Sequence, residues 1–209
     1  MHLLVTAGPT REPIDPIRFV SNRSSGQMGY ELARAAAALG HAVRLIHGPT
    51  SLPPPDGIPA TPVVTTQEML EAVQDALSWT DCLIMAAAPC DWRPVAPAGC
   101  KLKKADGPPV LHFEPTPDIL RTIAPRKRPD QRFYGFAAET DALETEALRK
   151  LAAKHLDGIF ANDVSSTSSG MASPCNQVTL YRPGEPPVVS PLLPKTELAP
   201  LLLSWILPR

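Results

Sequence analysis

Ser24, Ser25 and Gly26 stand just before a run that reads as helix, residues 27–39. Two hydroxyls and a glycine at that place suit an anion. The first backbone N–H groups of a helix are unpaired and partly positive, and glycine lets a ligand come close. The same serines can also cap the helix, and most serine-glycine loops of this kind are only helix starts. Lys101, Lys103 and Lys104 put three ammonium groups within four residues on a Gly/Pro-flanked loop. Such a run is usually a solvated patch, but a mobile lysine loop beside a site can close over phosphates. Neither standard phosphate fingerprint is present. G-x-G-x-x-G would need glycine at Ser24, and there is no G-K-[ST]. The four cysteines, Cys82, Cys90, Cys100 and Cys175, have no C-x-x-C or zinc spacing, and they read as free thiols of a reducing cytoplasm.

The elements that must position these groups alternate. Apolar residues 3–7 read as a first strand, followed by the alanine-rich helix, which Gly40 stops. Residues 42–47 are a second strand. It ends without the acidic residue that would hold a nicotinamide ribose. Val63-Val64 read as a short strand, Thr66 as the cap of a helix over 67–79, and residues 82–87 as a strand buried on both faces. Its small end, Ala86-Ala87-Ala88, leaves room for a flat ligand, and Asp91 follows. A short strand is expected at 110–114 and a helix from Pro117 to near Pro125. A strand at 133–138 ends in Glu139-Thr140, an amphipathic helix covers 144–155, and a strand at 158–161 ends in Asn162-Asp163. Residues 177–181 and 188–189 suit a ribbon across Pro183-Gly184, and a last helix covers 195–207. The pattern is α/β: a Rossmann-like, doubly wound, mostly parallel sheet with a small β-ribbon appendage, ligands lying at the carboxyl ends of the strands.

Whole-chain properties bound the function. The 209 residues are 44% hydrophobic, enough for one domain with a real core. A net charge of −1 gives no electrostatic case for nucleic acid. No apolar run is long enough to span a membrane, and the N-terminus does not read as a signal peptide. The 26 prolines cluster in connections, which suggests stiffened loops.

With these pieces placed, the chain resembles the phosphopantothenoylcysteine synthetases, ligases of coenzyme A biosynthesis. The resemblance rests on TAGPTREPIDPIRFVSNRSSGQMG (6–29), the alanine-rich strand end with Asp91-Trp92-Arg93-Pro94, KLKK (101–104), GFAAET (135–140) and AND (161–163). It implies a two-step reaction within a single nucleotide-binding ligase domain, residues 1–209. The carboxylate of 4′-phosphopantothenate attacks the α-phosphate of a nucleoside triphosphate, CTP in most bacterial members, and pyrophosphate leaves. The amine of cysteine then attacks the acyl carbon, giving the amide and CMP. No protein nucleophile is needed; such chemistry depends on positioning and on neutralising phosphate charge.

The resemblance also implies roles. Asn22 would hold the activated acyl group, and Lys101 would offset charge at the α-phosphate, with Lys104 helping on the triphosphate. Ser24, Ser25 and Gly26 would contact phosphate. Ala87 and Ala88 would read the pyrimidine edge through their backbone, Phe136 would pack on the base, and Asp91 would serve ribose or metal. Asn162 and Asp163 are weaker nominations. Mg²⁺ is expected with the triphosphate. A homodimer is implied, with the ribbon of 177–189 as the contact expected here. In many bacteria this domain follows a flavin-dependent decarboxylase, so a chain starting at residue 1 resembles a free-standing synthetase or an excised domain. Two departures stand out: Pro89-Cys90 where relatives carry small or branched residues, and MASPCN at 171–176.

Two rivals remain. A reductase of similar fold needs Tyr-x-x-x-Lys, but Tyr30, Tyr134 and Tyr181 are followed four residues on by Arg34, Ala138 and Glu185. A non-catalytic nucleotide-binding module predicts that Lys101 is dispensable.

Overall fold

The computed structural model describes residues 1–164 and 173–207. In chain order the elements are β1 (His2–Ala7), β2 (Arg11–Pro13), β3 (Phe19–Ser21), α1 (Gln27–Ala38), β4 (Ala42–His47), β5 (Ala60–Pro62), α2 (Thr66–Ala76), β6 (Cys82–Met85), β7 (Trp92–Pro94), β8 (Phe113–Pro115), α3 (Ile119–Ile123), β9 (Arg132–Glu139), α4 (Leu143–Ala153), β10 (Gly158–Asp163), β11 (Cys175–Asn176), β12 (Thr179–Tyr181), β13 (Val188–Val189), β14 (Leu193–Pro194) and α5 (Lys195–Ile206).

Eight strands form one sheet in the order β13-β12-β10-β9-β6-β1-β4-β5. The six from β10 to β5 are parallel. Counted along the chain they lie 3-2-1-4-5-6, so the order reverses between β1 and β6. Alternate side chains of the strands feed two cores. Leu3, Val5, Cys82 and Ile84 pack with Tyr30, Leu32 and Ala33 of α1 and with Leu198 and Leu202 of α5. Leu4, Leu83, Met85 and Phe133 face the other side, against α2, α3 and α4. A strand buried on both faces has no polar side to show, which is why β1 and β6 read as unbroken apolar runs.

The expected fold is what is found, with local corrections. Thr65, not Thr66, caps α2, in a capping box with Glu68. Thr66 is buried, bonded through its hydroxyl to Thr10 and through its N–H to Glu12. The strand expected at Val63-Val64 lies earlier, at β5, an edge position where Pro62 is tolerated. The expected ribbon is not a free appendage: β12 pairs antiparallel with β10, β13 with β12, and together they finish the sheet. The short strand expected at 110–114 is found slightly later, at β8, but its pairing with β7 and the β2–β3 hairpin were not foreseen. The lysine run sits in the excursion of residues 95–112 between β7 and β8. The four cysteines are free. Residues 165–172, which include the first two of MASPCN, lie outside the described residues.

Candidate functional site

Parallel strands deliver their carboxyl ends to one edge, and the largest change of direction there is between β1 and β6. Beyond these two ends the chain opens into a cleft of about 300 Å³. One wall is the turn into α1. Gly26 is the cap residue, with φ of 78°, a conformation that favours glycine, and no side chain caps the helix. The capping role expected for Ser24 and Ser25 is therefore not what is seen. Their hydroxyls instead accept local N–H groups, those of Gly26 at 3.3 Å and Gln27 at 3.4 Å. The first turn of α1 carries no acidic residue, so its positive end is left facing the cleft. Gly29 explains how close this helix lies. A Cβ there would stand 2.6 Å from the Cβ of Ala7 on β1.

The second wall is the end of β6. Ala87 and Ala88 border the cleft, as sequence suggested. Their N–H groups already have partners, the hydroxyl of Thr6 at 3.1 Å and the carbonyl of Gly8 at 2.9 Å. Neither N–H is therefore left to read a base edge. Asn22 crosses to this wall: its Nδ2 donates to the carbonyls of Ala88 at 3.0 Å and Pro89 at 2.9 Å. Both amide hydrogens are thus engaged, and Asn22 ties the loop before α1 to the loop after β6. Cys90 turns inward, its N–H on the Thr10 hydroxyl at 2.8 Å, and burial pushes its thiol pKa up.

A narrower slot of about 140 Å³ adjoins the cleft, and Ala87, Pro89, Asp91, Phe136 and Lys154 border both. The ring of Phe136 packs tilted against Phe160 of the core, with 5.0 Å between ring centroids. It is therefore a core residue and a cleft residue together. Ile119 and Asp118, the residue that caps α3, complete the slot.

The structure thus brings together Asn22, Ser24, Ser25, Gly26, Ala87, Ala88, Asp91 and Phe136, and of the two weaker nominations it places Asn162, not Asp163, on the cleft wall. It does not bring Lys101 and Lys104 to the cleft. Both are exposed and border a separate, more open hollow with Arg18. The root of their loop is clipped to the β2–β3 hairpin: Arg18 donates to the carbonyl of Leu102 at 2.8 Å, and the Leu102 N–H donates to Asp15 at 3.1 Å.

Three other lysines border the cleft and were not foreseen: Lys150, Lys154 and Lys195. Lys150 lies in the last turn of α4 and Lys154 at its C-terminal cap, the end of a helix that favours cations. Lys150 pairs with Glu139 at 2.5 Å and Lys154 with Asp118 at 3.1 Å. Their spacing of four residues, at the end of a helix that follows a site strand, was the available signal. Lys195 is 2% exposed, and burial lowers its pKa. Its signal was a lysine opening an otherwise apolar helix.

Residues 1–208 match the family described as DNA/pantothenate metabolism flavoprotein C-terminal domain. The chain belongs to this family. It is 45% identical over 181 residues to the coenzyme A biosynthesis bifunctional protein CoaBC of Bacillus subtilis (strain 168), covering 86% of this chain and 44% of that protein. With CoaBC of Escherichia coli (strain K12) it shares 41% identity over 215 residues, 100% of this chain and 52% of that one. The chain spans about half the length of these relatives. Among solved structures, the C-terminal domain of a CoaBC protein superposes with a TM-score of 0.82 at 40% identity, over 98% of this chain and 93% of that one. The chain shares the fold of that domain, and no helix among the described residues is long and apolar enough to cross a membrane.

Proposed function

We propose that this chain joins 4′-phosphopantothenate to cysteine through an acyl-nucleotide, with release of pyrophosphate. Family membership supports the coenzyme A setting. The single observation that carries the reading is the cleft itself. It presents one carboxylate, three lysines and an uncapped helix N-terminus around a space bordered by Phe136, and among the described residues no histidine borders it beside a serine or cysteine. That is an arrangement for holding phosphates in register, not for covalent catalysis. A structure of the same fold, a Cab2 variant at 17% identity and TM-score 0.78, is described as a complex with phosphopantothenate-cysteine.

The base lies in the slot against Phe136, and its phosphates run toward Lys154 and Lys150. The small volume of the slot, about 140 Å³, supports the single ring of CTP over the double ring of ATP. The substrate carboxylate attacks the α-phosphate from the side of α1. Lys101 reaches the site from the clipped loop and offsets the charge that builds there, with Lys104 beside it. Asn22 already holds the two loops together; when the acyl group arrives, its amide exchanges one carbonyl for the acyl oxygen. Mg²⁺ fits this donor set. Among the described residues no three acidic, histidine or cysteine side chains cluster, whereas Asp91 and Asp118 both border the slot. One or two carboxylates plus substrate phosphates are how Mg²⁺ is usually held, where it partly neutralises the triphosphate. The chain works as a cytoplasmic homodimer. Its relatives' name, bifunctional, supports a flavin-dependent decarboxylase partner for the half of their length it does not span.

The test is pyrophosphate release with 4′-phosphopantothenate, Mg²⁺ and CTP or ATP, with and without cysteine. Release should require phosphopantothenate, amide should form only with cysteine, and CTP should be preferred. No release with either nucleotide from the folded protein would leave a binding module.

A further inference from the structure

We propose that Thr10 and Thr66 are positioning residues of this site: their hydroxyls fix the peptide planes on either side of Cys90 and, through them, the Pro89 carbonyl to which Asn22 is bound. The proposal rests on the ligase reading above. Neither threonine borders the cleft or the slot, so any effect on the chemistry must pass through the residues that do.

Thr10 is fully buried and Thr66 is 1% exposed, and they come from different parts of the chain. Thr10 lies in the loop after β1, and Thr66 is the first residue of α2. Cys90, in the loop after β6, bonds to both. Its N–H donates to the Thr10 hydroxyl at 2.8 Å, and its carbonyl accepts from the Thr66 hydroxyl at 3.4 Å. A hydroxyl has one hydrogen to give. That of Thr66 goes to Cys90, so the 2.8 Å contact between the two hydroxyls takes its hydrogen from Thr10. The bonds close a ring: Cys90 N–H to Thr10, Thr10 to Thr66, Thr66 to the Cys90 carbonyl. Each hydroxyl donates and accepts within it, and bonds linked in this way strengthen one another in a low-dielectric interior. Thr116 donates to the same carbonyl, and its N–H donates to the Asp91 carbonyl at 2.9 Å. The ring is anchored in the β2–β3 hairpin: Ser21 donates to the Thr10 carbonyl at 2.7 Å, and the Thr66 N–H donates to buried Glu12 at 2.8 Å.

The ring reaches the cleft because a peptide unit is rigid. The N–H of Cys90 and the carbonyl of Pro89 share one plane and point in opposite directions across a trans bond. With the N–H drawn inward onto Thr10, the carbonyl turns outward, where it accepts from Asn22 at 2.9 Å. The next plane joins the Cys90 carbonyl to the N–H of Asp91, a residue that borders both cleft and slot. Cys90 thus stands between two residues the site uses, and the threonines set both of its backbone polar groups. Filling the space would need only the shape of threonine, which valine shares; the ring needs the hydroxyls.

The test compares wild type, Thr10→Val, Thr10→Ser and Thr66→Val, with Thr10→Val also made in an Asn22→Ala background. In Thr10→Val the exchange of the Asn22 side-chain amide protons with water, followed by NMR, should quicken about fivefold, the loss expected for one neutral hydrogen bond. The reaction of the acyl-nucleotide with cysteine should slow by a similar factor, while the KM for CTP moves less than about twofold. Thr10→Ser keeps the hydroxyl and should restore both. In the Asn22→Ala background Thr10→Val should add nothing to the loss in that step. An unchanged exchange of the Asn22 amide overturns the proposal, and so do additive losses in the double variant. An equal loss in the KM for CTP and in both half-reactions also overturns it, by making the threonines supports of the fold. If Thr10→Val does not fold, Thr66→Val takes its place, since it opens the ring yet leaves Thr10 and Thr116 on the two polar groups of Cys90. If wild type turns over neither nucleotide, the ligase reading fails, and the Asn22 amide exchange in wild type and variants still decides the positioning.

Discussion

Two groups of lysines divide the work of this molecule. Lys150, Lys154 and Lys195 sit on the ends of packed helices and border a preformed cleft. Lys101, Lys103 and Lys104 sit on an exposed loop that is clipped to the β2–β3 hairpin and borders a different hollow. The first group is placed before any ligand arrives, so its contribution belongs to binding. The second must move to meet a ligand in the cleft, so its contribution belongs to a state that forms only when the site closes. The difference teaches that charge density in sequence and charge density in a site are separate properties. Three lysines in four residues are conspicuous in the chain and remote in the fold; three scattered ones are silent in the chain and adjacent in the fold.

Lys101→Ala should have the largest effect. A charge that acts on the transition state alone costs about a thousandfold in kcat when removed, with little change in KM or in melting temperature. Single-turnover formation of the acyl-nucleotide, by quenched flow, checks this. Normal turnover would break the comparison at its strongest point and move the non-catalytic reading forward. Lys154→Ala should show the opposite signature: a KM for CTP about 10- to 100-fold higher and a smaller loss in kcat, read from steady-state kinetics. If both variants change the same parameter, the two groups are not distinct.

Asn22→Ala is expected to fall between them, at about tenfold in the second half-reaction, because it removes both a clasp and a donor. Asn22 bonds two carbonyls across the mouth of the cleft, so the loop before α1 should loosen as well. Amide exchange of residues 23–26 in the variant separates the two contributions. Unchanged kinetics in both half-reactions would leave Asn22 a turn residue.

The strands and helices were legible because their signals are local. β1 and β6 are apolar throughout, α1 is alanine-rich before Gly40, and α2 has its apolar residues at helical spacing. The loop 22–26 and the end of β6 were legible as a site because a doubly wound sheet leaves few other places for one. What escaped was set by packing over distance. Strands β2, β3 and β7 have three residues each, too short for any period to show. Lys150 and Lys154 read as the solvated face of an amphipathic helix, and only the fold brings that face over Asp118 and Glu139. Lys195 belongs to an element at the far end of the chain, and only its packing beside α1 turns it to the cleft. Even Ser24 and Ser25, correctly placed, do something other than cap, since Gly26 takes the cap position with a backbone that neither serine adopts readily.

The smallest effect should come from the clip that anchors the lysine loop, and it sharpens the comparison most. Asp15 accepts from the Arg18 guanidinium at 2.5 Å, from the N–H groups of Ile17 and Arg18, and from Leu102 at 3.1 Å. The Arg18 contact, then these N–H groups, hold its pKa well below the usual carboxylate range, although burial opposes them. A carboxylate whose pKa is lowered on folding contributes stability that is present above its unfolded pKa, about 3.9, and is lost only as pH falls through the folded value. The clip is therefore intact at every pH where the enzyme would be assayed. Asp15→Asn should cost about threefold in kcat/KM, and the same factor at pH 6 and pH 8, because nothing in the clip titrates between them. The loss should appear in kcat, like that of Lys101→Ala but much weaker, since the loop keeps its lysines and loses only part of its anchorage. In the Lys101→Ala background the second substitution should add nothing, for a loop without its working lysine has nothing left to position. A loss that appears in the KM for CTP instead would mean that the anchored loop shapes the preformed cleft, and the two groups of lysines would then be one.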